Sequence, residues 1–207
     1  MGKNESKGSQ FAARASKVER LDAALATVAL RHRGNPAVKA VGLLSEASDQ
    51  PPLLAASAAT LAAGLVLRQP RLARAGLRML ASELVATGIK AGIKRYVART
   101  RPHKMLEDGR YLLHPDKNAE KNEGPWNSFP SGHTAGAVAV GRALSREYPQ
   151  ASSAAAAAAA AVGLVQLPQG NHFASDVVVG AMVGWVAEAA VNAAVNAGSA
   201  AVRKRGD

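Results

Sequence analysis

The sequence contains no cysteine, which excludes disulfides, thiolate metal sites and cysteine nucleophiles at the outset. Aromatic residues are scarce as well: three Tyr, three Phe and two Trp in 207 residues are too few for the stacking platforms of a nucleic-acid binder. Strict apolar–polar alternation and clusters of β-branched residues are missing too, so strands are not expected. The opening stretch MGKNESKGSQFAARASKVER has no apolar core followed by a cleavage site, and it reads as a solvated tail rather than a signal peptide. Acidic side chains are the minority, 15 against 26 Lys and Arg. The basic excess lies in the termini and between apolar runs, a placement typical of the flanks of membrane helices rather than of a nucleic-acid stripe.

What the chain does have is long, small-residue apolar runs. The stretches from Gln50 to Leu67 and from Ala151 to Leu167 are uncharged, and each reaches the lower limit of roughly 17 to 20 residues for a bilayer span. From Asp176 to Gly198 the only further charge is Glu188, while the segment from Leu72 to Ile93 is apolar with Arg74, Arg78, Glu83 and Lys90 scattered through it. A mean hydropathy of −0.04 speaks for the competing reading, a soluble bundle of closely packed Ala-rich helices. The expected fold is all-α: a membrane-embedded bundle of five to six helices, near 18–31, 52–68, 71–98, 132–146, 151–167 and 174–197. Pro51 and Pro52, RQPR at 68–71, Pro102, Pro149 and PQGN at 168–171 supply the breaks. The first helix is short in apolar residues and suits the surface of a bilayer. One helical domain over 18–198 is expected, with a long loop at 102–130, a polar tail at 1–17 and a basic tail at 199–207.

Three short segments carry chemistry. In KRYVARTRP, Lys94 and Arg101 lie seven residues apart, close to two helical turns, so two cations can serve one dianionic phosphate; Arg95 and Arg99 read as a basic helix end facing water or head groups. In SFPSGH, Ser131 is a natural N-cap, Gly132 admits a close ligand, and His133 sits in the first turn of a helix whose N-terminus attracts anions. In GNHFASD, His172 and Asp176 are four apart, so a carboxylate can fix the imidazole tautomer. Each segment also has an ordinary reading, as a basic helix end, a capped helix or a helix-start Asp.

Together, in the order Lys-x6-Arg-Pro, Pro-Ser-Gly-His and His-x3-Asp, they resemble the signature of the type 2 phosphatidic acid phosphatase (PAP2) family, a superfamily shared with vanadium haloperoxidases and bacterial acid phosphatases. The resemblance spans residues 94–176 and implies a PAP2/haloperoxidase-like helical fold and a phosphatase that uses no metal and no other cofactor. It implies His172 as the nucleophile that becomes a phosphohistidine, Asp176 as its orienting partner and His133 as the acid for the leaving oxygen. Lys94, Arg101, Ser131 and the Gly132 N–H are then the phosphate ligands.

One departure stands out: where the family's third motif begins Ser-Arg, this chain has Val165 and Gln166. The lost charge-assisted contact is worth about 1.5 to 3 kcal/mol, or one to two decades in rate. Gln166 can still donate an amide hydrogen bond to phosphate, and Lys90, one turn before Lys94, is a candidate replacement charge. The expected partners are membrane lipids and a lipid phosphate substrate, with no nucleic acid. Prenyl (pyro)phosphates, phosphatidic acid, phosphatidylglycerol phosphate and lipid A phosphates all remain open. Basic turns at 68–74 and 142–149 and the C-terminal RKR favour a multi-pass protein of the cell (inner) membrane with an outward-facing site. Two alternatives stay open, a soluble phosphatase or haloperoxidase relative and a homologue that binds lipid phosphates without hydrolysing them.

Overall fold

The computed structural model describes residues 16–109, 111, 113–115 and 124–206; most of the expected polar tail lies outside them. The first helix, α1 (Lys17–Leu30), opens with a capping box in which Ser16 and Glu19 satisfy each other's backbone N–H groups, worth about 1 kcal/mol. Val18, Leu21, Leu25 and Val28 face outward from it, whereas Asp22 and Ala26 are buried. Helix α2 (Pro36–Ser45) is an addition to the expected set. Its signal is local: the Asn35 side chain accepts from Ala37 N at 2.8 Å, and Pro36 occupies the first helical position, where a missing N–H costs nothing.

Helices α3 (Gln50–Val66) and α4 (Pro70–Lys94) form a hairpin so close that a Cβ on Gly64 would overlap the backbone of Ala73, and one on Gly76 the backbone of Leu61. Helix α4 stops short of the expected 98. Beyond it, β1 (Val97–Arg99) pairs antiparallel with β2 (Leu113–Pro115), an exception to the all-helical expectation. The expected 102–130 loop also contains α5 (Pro102–Asp108) and a 3-10 turn at Gly124–Trp126; Pro102, which ends one helical tendency, begins another.

Helix α6 (Gly132–Glu147) is the central post, touching α4, α7 (Ser152–Gln169) and α8 (Ala174–Gly206). Helix α7 runs through Pro168 and ends where Gly170 takes a left-handed φ of 75°. The expected C-terminal tail continues α8 as helix to Gly206.

The interior is made of small side chains, Ala75, Ala86, Ala135, Ala139, Ala143 and Ala187, all nearly inaccessible. Large apolar ones, including Leu65, Leu77, Leu84, Leu164, Met182 and Trp185, point outward. Small-inside, large-outside is the pattern of helices that associate by close packing in lipid. Among the described residues two helical stretches are long and apolar enough to cross a bilayer, Pro149–Gln169 and Ala174–Gly198, and only 22% and 28% of their apolar windows are buried. A core helix of a soluble protein would be mostly covered, so their exposure marks the chain as membrane-associated.

Candidate active site

Four chain segments meet at one end of the bundle: the end of α4, the stretch through β1 into α5, the N-terminus of α6 and the turn leading into α8. The joint between the last two is a backbone hydrogen bond, Ser131 N to the Asp176 carbonyl at 3.0 Å. Tight seating is possible because Gly180 lies against the Ser131 carbonyl, where a Cβ would come within 2.5 Å.

Ser131 caps α6, its Oγ accepting from Thr134 N at 3.4 Å and from Thr134 Oγ1 at 3.0 Å. Its own hydroxyl proton stays available. The N–H groups of Gly132 and His133, in the first turn, have no protein acceptor among the described residues, which leaves the positive helix end ready for an anion. Lys90 covers this turn. Its Cδ and Nζ lie 3.2 and 3.3 Å from where a Gly132 Cβ would be, and Gln50 Oε1 accepts from its Nζ at 3.3 Å.

Lys94 sits just past the apolar stretch of α4 and donates to the carbonyl and side-chain oxygens of Asn127 at 2.9 and 3.0 Å. Burial, reinforced by the neighbouring charges of Arg101 and Lys90, pulls its pKa down to about 8. Arg101 is anchored by its backbone N–H to the Pro125 carbonyl at 2.7 Å, while its buried Nε has no partner. Burial lowers its pKa as well. Neither cation has a carboxylate partner among the described residues.

His172 is buried, and its Nδ1 lies 2.7 Å from the Ser128 carbonyl. A carbonyl only accepts, so Nδ1 carries the proton and Nε2 keeps its lone pair. Burial holds the imidazole pKa below the usual histidine range, with Arg101 and Lys94 pushing the same way and Asp176 opposing. Asp176 Oδ2 stands 3.7 Å from Nδ1, outside hydrogen-bond reach. The expected Asp–His hydrogen bond is therefore replaced by one to Ser128, because Asp176 is engaged elsewhere: Oδ2 accepts from Phe173 N at 2.8 Å and Oδ1 from Arg99 Nη1 at 2.5 Å.

Arg99 corrects a second expectation. Far from facing water, it is 2% exposed, paired with Asp176 and, at 2.7 Å, with Asp22 of α1. The Phe173 ring stacks on it, its centroid 4.3 Å from the guanidinium carbon. Its partners are distant in sequence, so no local pattern signals its burial. Gln166 is a third correction. Its Nε2 donates to Ser45 Oγ and to the Val162 carbonyl, each at 3.3 Å, and its Oε1 accepts from Asn171 at 3.2 Å. Its Nε2 ties α7 to α2 and its Oε1 holds the turn before His172, so neither end of that amide is offered to a phosphate. His133 is partly buried, with Nε2 lacking a hydrogen-bond partner and 3.9 Å from Glu46 Oε2.

The architecture is thus a helical membrane bundle with a tautomer-fixed histidine near cations that touch no carboxylate among the described residues, and with an open helix N-terminus. Residues 75–198 match the model of the PAP2 superfamily, and the chain belongs to that superfamily. Among solved structures it is similar to a transmembrane PAP2 type phosphatidylglycerolphosphate phosphatase from Bacillus subtilis, with 19% identity, TM-score 0.63 and coverage of 93% of this chain and 92% of that one. It is also similar to LpxE of Aquifex aeolicus, with 20% identity, TM-score 0.57 and coverage of 86% and 96%. These likenesses establish the fold, that of PAP2-type transmembrane phosphatases. No curated protein matches the sequence significantly.

Proposed function

We propose that this protein is a multi-pass membrane phosphatase that removes phosphate from a lipid phosphomonoester or pyrophosphate through a phosphohistidine, without a metal. The observation that carries the reading is the pair of half-buried cations, Lys94 and Arg101, with no carboxylate in direct contact among the described residues, beside a histidine whose Nδ1 is pinned. Partly desolvated positive charge with only the more distant Asp176 to oppose it is costly to maintain in a folded chain. A bound phosphate supplies the missing counter-charge.

In this mechanism Lys94, Arg101, the Ser131 hydroxyl and the Gly132 N–H hold the phosphate oxygens. The Nε2 lone pair of His172 attacks phosphorus, the bond from phosphorus to the lipid oxygen breaks, and His133 gives its proton to that oxygen. Water then attacks the phosphohistidine, His133 takes a proton from it, the P–N bond breaks and inorganic phosphate leaves. Asp176, 3.7 Å from Nδ1, stabilises the imidazole as it becomes positive. Gln166 has no part in phosphate binding; Lys90, beside Gly132, is the nearest further charge.

The apolar exterior supports a phosphate carried on a lipid as the substrate, as do the PAP2-type phosphatidylglycerolphosphate phosphatase and LpxE of similar fold. The basic turns at the other end of the bundle favour a cytoplasmic position for that end and an outward-facing site in the cell membrane. The test is phosphate release from a panel of lipid phosphates by detergent-purified protein, with vanadate and EDTA as additions. Release that is blocked by vanadate, resists EDTA and is lost in His172→Ala is expected. Binding of lipid phosphates without release would assign the chain to the non-hydrolysing alternative.

A further inference from the structure

Helix α1 lies outside the segment that matches the superfamily model, yet one of its side chains reaches the centre of the site. Asp22 is 3% exposed. Its Oδ1 accepts from Ser175 N at 3.0 Å, and its Oδ2 accepts from Arg99 Nη2 at 2.7 Å and forms a very short bond with the Ser175 hydroxyl. Arg99 Nη1 continues the chain to Ser175 Oγ at 2.7 Å and to Asp176 Oδ1 at 2.5 Å. Tyr111 Oη, 3.1 Å from Nη2, and the Phe173 ring close the cage. A buried cation thus sits between two buried carboxylates, one from α1 and one beside His172.

Charge counting gives this arrangement a purpose. One guanidinium between two carboxylates leaves a net negative charge, so Asp176 is held in place by Arg99 without being fully neutralised by it. With Asp22 gone, Arg99 would lean on Asp176 alone, and the negative field at the His172 ring would weaken at the moment when that ring takes on positive charge. We propose that Asp22 and Arg99 are positioning residues of the active site, through which the N-terminal helix sets the orientation and the effective charge of Asp176 beside His172. The catalytic part of this inference rests on the phosphatase reading above; the electrostatic part does not.

The decisive variant is Asp22→Asn, which keeps the shape and removes the charge. The charged groups facing the His172 ring are Asp176 from α8, Lys94 from α4 and Arg101 before α5; none of these is altered. In full-length protein in detergent micelles, with phosphatidic acid as the probe, kcat should fall about tenfold with KM within about twofold, and Asp22→Glu should restore most of it. Independently of activity, the midpoint of His172 followed by NMR of ring-labelled protein should move to lower pH, because less negative charge stabilises the imidazolium. If Asp22→Asn does not fold, Ser175→Ala carries the same two readouts. It removes one acceptor from Arg99 and should shift both in the same directions by a smaller factor. Unchanged kcat and an unchanged His172 midpoint in a folded variant would overturn the inference. If the wild type releases no phosphate from any lipid, the function reading falls, and the NMR midpoint alone decides the Asp22 relay.

Discussion

Apart from Arg99, which is caged by Asp22 and Asp176, the two ends of the bundle treat positive charge in opposite ways. At the end away from the site, Arg74 and Arg78 bind Glu147 at 3.1 and 3.0 Å, and the Glu147 carbonyl accepts from Arg71. Beside them Glu188, 1% exposed, takes Arg142 at 3.0 Å and Arg146 at 2.7 Å. At the site end, among the described residues, Lys94 donates to the neutral oxygens of Asn127, Lys90 donates to the neutral Gln50, and Arg101 keeps an unpartnered Nε. Cations that hold helices together are given carboxylates. Those beside His172 have no carboxylate in direct contact among the described residues, which makes them a stabilising set chiefly when an anion arrives.

The contrast breaks most sharply at Arg101. Arg101→Ala should lower kcat/KM about 100-fold or more, as expected for a charge-assisted contact that strengthens in the transition state. Its melting temperature should stay level or rise, because a half-buried cation with an unpartnered Nε is removed. The mirror experiment is Glu188→Gln, which leaves Arg142 and Arg146 facing a neutral amide. A loss of roughly 1 to 3 kcal/mol in stability is expected, with kcat/KM within about twofold of wild type. Were Glu188→Gln to abolish activity in folded protein, the division of labour between the two ends would be wrong.

A pH profile sharpens the same comparison. His172 is held below the ordinary histidine range by burial, so its neutral, nucleophilic form persists into mildly acidic solution. Lys94 loses its proton near pH 8, so kcat/KM should decline as the pH rises through 8 and the phosphate loses a cation. Replacing Lys94 by Arg, which stays charged, should remove that decline. A smaller effect is expected at Lys90: Lys90→Gln should cost about tenfold in kcat/KM, less than Arg101→Ala, since Lys90 stands at the rim of the Gly132 turn.

The sequence showed those features whose cause is local. Pro130, Ser131 and Gly132 announced the N-terminus of α6, and the Lys94–Arg101 spacing announced two cations near one place. The signal of helix α2 is equally local, in the Asn35 cap and Pro36. Arg99 was of another kind. It follows Lys94 in a basic run that reads as a solvated helix end, and its partner Asp22 is 77 residues away, a distance that no periodicity encodes. The same holds for Gln166, whose partner Ser45 is 121 residues away, and for the Ser128 carbonyl that takes the place of Asp176 on His172, 44 residues away. Long-range polar pairing depends on how helix ends meet, and that is set by the packing of alanine and glycine faces that look interchangeable in the chain.

The central claim, that Lys94 and Arg101 hold a tetrahedral anion against His172, is tested most directly by an experimental structure of the protein in detergent with vanadate or tungstate. The expected result is one oxyanion in contact with Lys94 Nζ, the Arg101 guanidinium and the Gly132 N–H, with its central atom facing His172 Nε2. An oxyanion bound instead among Arg71, Arg74 and Arg78, with the pocket at His172 empty, would contradict it.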